Sequence, residues 1–122
     1  MTTGLRREIF LASLTLTLAT TLGAGTALAA GAIAFSEEEN YGYITAGYPS
    51  PRQAQEAALA GCKFQDCRVV LDFEHECASI AVGDEGYGWA AAPSRGEARL
   101  DAMTECSKVG RNCEELLSEC DR

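Results

Sequence analysis

Six cysteines constrain this chain most, because they occupy three positions that are each used twice. One segment contains Cys62, Cys67 and Cys77. The next segment contains their counterparts in the same order, Cys106, Cys113 and Cys120. Other short motifs recur in the same order, namely Ala32-Ile33-Ala34-Phe35 with Ser79-Ile80-Ala81-Val82, and Pro49-Ser50 with Pro93-Ser94. A repeat that covers nearly all of a segment indicates one structural unit used twice.

Strand signals open each copy. The runs 32–35 and 79–82 are short and apolar with a β-branched member, which is typical of strands. After a polar turn, the triplets Tyr41-Gly42-Tyr43 and Tyr87-Gly88-Trp89 predict second strands. Because side chains alternate along a strand, both rings of a triplet share one face and the glycine lies on the other. Glycine there often marks the close approach of another backbone.

A helix follows in each copy, and a capping box marks its beginning. Ser50 starts the sequence S-P-R-Q, with proline at the first helical position, and Ser94 starts S-R-G-E. Behind each cap, small residues recur every fourth position on one helix face: Ala54, Ala58 and Cys62, then Ala98, Ala102 and Cys106. Such a stripe predicts a helix packed closely on a sheet.

The two copies differ in their last strand. Residues 67–73 carry the strongest strand signal, whereas the equivalent run 114–119 has little β propensity and suits a helical turn equally well. We therefore expect an α+β fold in which two tandem β-β-α-β repeats, at about 31–77 and 78–120, form one compact disulfide-stapled domain with pseudo-twofold symmetry. The final strand is expected to be short or irregular.

Residues 1–29 have the pattern of a secretory signal peptide. Arg6 and Arg7 precede the uncharged, mostly apolar stretch 9–22, and Ala27-Leu28-Ala29 is a small-residue cleavage site. Cleavage is expected after Ala29. The alternative is an uncleaved membrane anchor, since residues 9–35 lack charge over a length that spans a bilayer, although the threonines and glycines there argue against it.

Removal of this segment leaves a single domain, residues 30–122. The formal charge changes from −8 to −9, because Arg6, Arg7 and Glu8 are lost. We expect this domain to be secreted or periplasmic, with no membrane contact after cleavage. It is not expected to bind nucleic acid, which requires a clustered basic surface.

An even number of cysteines in a short exported chain indicates disulfide bonds. A zinc site is the weaker interpretation, because the spacings are not paired C-x2-C motifs and His75 is the only histidine. Many connectivities are open to six cysteines. If each copy keeps one internal bridge in the same place, the remaining bridge joins the two copies. We therefore favour the pairs Cys62–Cys67, Cys106–Cys113 and Cys77–Cys120.

Catalytic chemistry has little support in the sequence. His75 lies between Glu74 and Glu76, but neighbours on a strand point to opposite faces, and a solvated loop before a disulfide explains the pattern as well. No nucleophile elbow, zinc-protease motif, phosphate-binding loop or dinucleotide fingerprint is present. We predict no catalytic residue, no cofactor and no metal ligand.

Two groups of residues suit a binding surface. The polar turns of both copies are acidic, and under pseudo-twofold symmetry they would share one end of the molecule and steer a basic partner. The alternative is that they only keep the chain soluble. The triplet aromatics would stack on a sugar or anchor a protein interface if exposed, and would otherwise fill the core. The predicted binding residues are Glu37, Glu38, Glu39, Asp84, Glu85, Tyr41, Tyr43, Tyr87 and Trp89.

These motifs, in this order, resemble a bacterial family known as the domain-of-unknown-function family numbered 4189. The matching pieces are Gly31-Ala32-Ile33-Ala34, Tyr41-Gly42-Tyr43, the helix pattern P-S-x3-A-x3-A-x3-C, Cys67-Arg68-Val69-Val70 and the run 77–84. The resemblance implies a small exported domain and supplies no established catalytic residues. The chain departs from the family pattern at Glu114 and Glu115, which replace an apolar strand.

The sequence thus predicts an exported, non-catalytic binding domain that acts on another protein, with the acidic surface favouring a basic partner. The alternative is a small-ligand or glycan binder that uses the aromatic triplets. An enzyme is the third class, with His75 as its candidate base.

Overall fold

The computed structural model describes residues 29–121, and these form an α+β fold. The predicted signal peptide therefore lies outside the described residues, except for Ala29. The elements in chain order are β1 (Ala30–Ser36), β2 (Tyr41–Tyr48), α1 (Pro51–Cys62), β3 (Arg68–Glu74), β4 (Cys77–Asp84), β5 (Gly86–Ala92), α2 (Arg95–Ser107) and β6 (Arg111–Cys120). The order β-β-α-β occurs twice, as the sequence predicted. We call β1 to β3 with α1 the first half, and β4 to β6 with α2 the second half.

Each half contains one antiparallel three-stranded sheet. The strand order is β2-β1-β3 in the first sheet and β5-β4-β6 in the second, so the first strand of each half is central. Two antiparallel neighbours flank that strand in each case, one joined to it by a hairpin turn. The pseudo-twofold relation between the halves stays a prediction.

The central strands are buried on both faces, which gives the molecule four layers. On β1, Ala32 and Ala34 pack against α1, whereas Ile33 and Phe35 face the second sheet. On β4, Ala81 packs against α2 while Ile80 joins the core between the sheets. The layers therefore run helix, sheet, sheet, helix, with the largest apolar side chains in the middle.

The helix predictions are confirmed. Ser50 caps α1 by accepting a hydrogen bond from the Gln53 amide at 3.2 Å, and Ser94 caps α2 by accepting from the Glu97 amide at 3.2 Å. Proline occupies the start of α1. All six residues of the small-residue stripes are fully buried against their sheets: Ala54, Ala58, Cys62, Ala98, Ala102 and Cys106.

The final strand was expected to be short or irregular, and it is irregular but not short. β6 has ten residues, more than any other described strand, and pairs with β4 along its length. It is irregular in one respect, because its register with β4 shifts twice. Leu116 and Leu117 pack against the core between the sheets, and this burial with the β4 ladder outweighs the poor β propensity of Glu114 and Glu115.

The three disulfide bonds of the structure join the same pairs that were proposed from the sequence. Two of them tie the end of a helix to the strand region that follows it: Cys62–Cys67 and Cys106–Cys113. The third does not join the two copies as expected. Cys77 is the first residue of β4, so it belongs to the second half, and its bridge to Cys120 staples two neighbouring strands of one sheet.

Candidate functional site

The two acidic turns lie at the same end of the molecule. One is the four-residue turn 37–40 between β1 and β2, and the other is the tight turn of Asp84 and Glu85 between β4 and β5. The Asn40 side-chain nitrogen, Nδ2, donates a hydrogen bond to the Gly83 carbonyl oxygen at 3.2 Å. The structure therefore brings both turns together across the two halves.

A carboxylate from another loop organises the first turn. Asp66 accepts hydrogen bonds from the Ser36 hydroxyl at 2.6 Å and from the Glu38 amide at 3.1 Å. These bonds, the one from Ser36 foremost, hold the pKa of Asp66 below its ordinary value. The turn is thereby fixed in shape while Glu38 and Glu39 stay exposed.

Glu37 links the first turn to the second half. It accepts a hydrogen bond from the Arg68 guanidinium at 2.5 Å and interacts with the Tyr87 hydroxyl, and both contacts lower the pKa of Glu37. The pKa of Tyr87 is raised, first by burial and then by the neighbouring Glu37 carboxylate. Tyr87 is thus the point where the acidic turn meets β5.

The two aromatic triplets do not form one surface. In the first hairpin Gly42 lies opposite Phe35, whereas in the second Tyr87 lies opposite Val82, the residue equivalent to Phe35. The triplets are therefore offset by one residue relative to their central strands. Since a shift of one residue turns every side chain to the other face of a sheet, the two triplets face opposite ways.

The first triplet faces α1 and the loop behind it. The Tyr43 side chain lies over Gly61 of α1 and is 37% exposed. The Tyr41 ring meets Phe64 edge-on, with ring centroids 5.8 Å apart. These tyrosines cover the outer layer of the first half, away from the second triplet.

The second triplet faces the core between the sheets. The Tyr87 and Trp89 rings are stacked with centroids 5.4 Å apart, and both pack on Phe35, at 4.8 Å and 5.3 Å. Both are half-buried, so each has one part in the core and another part at the surface. Core filling was the alternative role predicted from the sequence for these aromatics. One face of the Tyr87 and Trp89 pair does pack in the core.

A cleft of about 410 Å³ opens where β5 meets the end of α2. Its lining combines the stacked rings with charged and apolar residues: Glu85, Tyr87, Gly88, Trp89, Glu105, Lys108 and Val109. Glu85, Tyr87 and Trp89 of this lining had been singled out from the sequence. Glu105, Lys108 and Val109 had been missed. Of these missed residues, Val109 carried a sequence signal, because it is an apolar residue in a polar stretch. In the structure it is 63% exposed.

The cleft combines carboxylates with aromatic rings. Glu85 and Glu105 supply carboxylates at its rim, and Lys108 contacts Glu105 at 2.9 Å. The interaction of Tyr87 with Glu37 makes the cleft continuous with the acidic turn. Aromatic faces attract cations and stack on sugar rings, so both ligand classes fit this arrangement.

His75 lies at the opposite end of the molecule. It follows β3 in an exposed turn with a positive φ of 57°, and its backbone amide donates to the Ala29 carbonyl at 3.2 Å. Because β3 runs away from the acidic turns, His75 is separated from the cleft by the length of the sheet. Between residues 29 and 121, no cluster of three His, Cys, Asp or Glu side chains is placed to hold a metal ion.

No helix in the described range 29–121 is long and apolar enough to cross a membrane. The described residues contain three disulfide bonds and no free cysteine, which is typical of proteins that fold in an oxidising compartment.

Known proteins with similar sequences carry no assigned activity in their names. The chain is 33% identical over 75 residues to Protein Rv1269c of Mycobacterium tuberculosis and to Protein Mb1300c of Mycobacterium bovis. Each match covers 62% of this chain and 59% of the relative, so the chain matches somewhat more than half of their length. No solved structure is significantly similar to this chain.

A family model described as "Domain of unknown function (DUF4189)" matches residues 30–120. That range includes all eight elements and all three disulfide bonds. The chain therefore belongs to the DUF4189 family, as its motif order had indicated.

Proposed function

We propose that this protein is an exported, non-catalytic binding domain whose cleft between β5 and α2 holds a basic segment of another protein. The observation that carries the proposal is the continuity of the aromatic cleft with the acidic turns. A lysine or arginine side chain in the cleft would lie near the rings of Tyr87 and Trp89 and near the carboxylates of Glu85 and Glu105.

The position of β5 supports an extended partner. β5 is an edge strand, since the order of its sheet is β5-β4-β6, and no strand of the described residues pairs with its outer side. Addition of a strand to a sheet edge is a common way to bind an extended peptide.

Export is part of the same proposal. The disulfide framework suits an oxidising compartment, and residues 1–29 have the pattern of a cleaved signal peptide. Together they support a secreted or periplasmic location, where the partner would also be found.

Trp89 provides a direct test, because it is the only tryptophan of the chain and lines the cleft. A lysine- and arginine-rich peptide should change the Trp89 fluorescence at low salt, and the effect should weaken at high salt. The double variant Glu85→Gln, Glu105→Gln should weaken binding at least about tenfold, on the scale of two lost charge contacts.

Glu56→Gln is the matched control. Glu56 is an exposed helix carboxylate that pairs with Arg52 at i,i+4 on α1, away from the cleft. This variant should bind as tightly as the parent. Equal affinity of the parent for a glutamate-rich peptide of the same length would refute the charge-based proposal.

The alternative function is glycan binding, and the stacked Tyr87 and Trp89 rings favour it. A sugar would bind by stacking, so its affinity would be insensitive to salt and to the two glutamine substitutions. A fluorescence response to a glycan panel with none to the basic peptide would replace the first proposal with this one.

A further inference from the structure

Asp121 is a buried carboxylate that is only half satisfied. Its side chain is 1% exposed, one oxygen accepts from the Gly47 amide at 2.9 Å, and its own amide donates to the Glu76 carbonyl at 2.7 Å. The second oxygen, Oδ2, is buried and has no hydrogen-bond partner among the described residues. A buried carboxylate oxygen has lost its water, so it requires a donor from elsewhere.

The Gly47 amide is free for Asp121 because β2 bulges there. The register of β1 with β2 shifts between Ala30 and Ala32, and Gly47 has a φ of 81°. A bulge removes one residue from the ladder, and its amide then bonds elsewhere. The next residue, Tyr48, is the ladder partner of Ala30, so the Gly47 amide that binds Asp121 is one residue away from the position opposite the beginning of β1.

No lysine or arginine of residues 29–121 forms an ion pair with Asp121. Two other charged side chains near this end are acidic: Glu74, the β3 ladder partner of Ala30, and Glu76 in the next turn. The Arg95 guanidinium also lies near this end, where it donates to the Ser118 carbonyl oxygen at 2.7 Å. The described side chains therefore supply no cation to Asp121.

We propose that the cation is the α-ammonium of Ala30, created when the leader is removed, and that it binds Oδ2 of Asp121. The inference rests on the proposed export. Signal peptidase adds water across the Ala29–Ala30 peptide bond, which leaves a carboxylate on Ala29 and an amine on Ala30 that takes up a proton near neutral pH.

Two properties of Ala30 fit this role. Ala30 is 4% exposed, so a charge created there is itself in need of a counter-charge. An ammonium also has three N–H donors where the amide had one. The Ala30 ammonium is therefore able to keep one hydrogen bond within the sheet and to donate another to Asp121. The pair would fasten the start of the first half to the end of the second.

Amine reactivity tests the pair. The full chain is exported in a bacterial host, purified, and its N-terminus identified by intact mass. A limiting amount of an acetylating reagent is then added at pH 8, and acetylation of Ala30, Lys63 and Lys108 is measured by peptide mass spectrometry. Relative to the two exposed lysines, the Ala30 amine should react at least about tenfold more slowly in the parent than in Asp121→Asn, as expected for loss of a coupled pair.

Glu74→Gln is the matched control, since it removes an exposed carboxylate beside Ala30 and should leave the protection intact. If Asp121→Asn does not fold, the parent is compared with itself in urea, where the protection should vanish. Equal rates for Ala30 in parent and variant, or in buffer and urea, would overturn the inference. A processed chain that begins at another residue would do so as well. An unprocessed chain would also refute the export proposal, so the two failures are distinct.

Discussion

In both halves a glycine allows a helix and a strand to pack closely, but the glycine lies on the helix in the first half and on the strand in the second. In the first half a large strand residue, Tyr43, lies over a glycine of the helix, Gly61. In the second half the strand supplies the glycine, Gly88, and the helix backbone of α2 approaches it directly, with Glu105 at the position equivalent to Gly61. One hairpin therefore points its aromatics outward towards the helix, and the other points them into the core.

The difference originates in the turns. The β1–β2 hairpin has the four-residue turn 37–40, whereas the β4–β5 hairpin closes through Asp84 and Glu85, with Glu85 at a positive φ of 59°. A change in turn length shifts the register, and a shift of one residue exchanges the faces of the whole strand. In the first half the Tyr43 ring covers the end of α1, whereas in the second half the triplet rings turn away from α2 and a cleft opens between β5 and the end of that helix.

The largest expected effect concerns the disulfides, which are unevenly divided between the halves. Replacing Cys77 and Cys120 with alanine should cost about 4 kcal/mol, since that bridge closes the longest loop, whereas replacing Cys62 and Cys67 should cost about 2 kcal/mol. Urea unfolding of both double variants measures the difference. Equal losses of unfolding free energy would contradict the chain-entropy explanation.

The two glycines should respond differently to a methyl group. In Gly88→Ala the new carbon would lie 2.4 Å from the backbone nitrogen of Cys106, which a disulfide restrains, so we expect a loss of about 3 kcal/mol. In Gly61→Ala the three nearest atoms all belong to the partly exposed Tyr43 ring, which shifts more easily than backbone, so about 1 kcal/mol is expected.

Tyr43→Ala provides the control for this pair. Once the ring is absent, Gly61→Ala should be neutral or stabilising by up to about 1 kcal/mol, because alanine favours the helix. If Gly61→Ala remains equally costly in the Tyr43→Ala background, the ring is not what the glycine accommodates.

The helix caps should behave alike in both halves. Ser50→Ala and Ser94→Ala each remove one hydrogen bond to a helix amide, so each should lower the unfolding free energy by about 1 kcal/mol. Thermal unfolding compares the two, with Thr104→Ala on the exposed side of α2 as a control. A cap that costs nothing in one half would show that the two helix beginnings are not equivalent.

The smallest effect is expected in acid. The pKa of Asp66 is lowered in the folded state, so its contribution to stability is present above its ordinary pKa of 3.8 and is lost as the pH falls through the lower folded value. The parent should therefore lose stability as the pH falls below 3.8, and Asp66→Asn should lose less. Superimposable pH profiles would show that the Ser36 contact does not stabilise the turn.

The elements with local signals were predictable from the sequence. Ser50 and Ser94 marked the helix beginnings, and the spacing of the small residues identified the buried helix face. The strand β6 was not predictable, because its conformation is imposed by pairing with β4 rather than by Glu114 and Glu115 themselves. The sequence also did not reveal that the two triplets face opposite ways, because this depends on a one-residue offset in register that the turn length sets.

The disulfide arrangement has a consequence for how the chain is held together. All three bridges lie within a half, and the halves are connected covalently only through the backbone at residues 75–76. Two copies are therefore able to exchange halves while every bridge stays intact, each first sheet packing on the second sheet of its neighbour. The stapling of this fold thus resists unravelling within each half but offers no covalent barrier to intertwined dimers at high concentration.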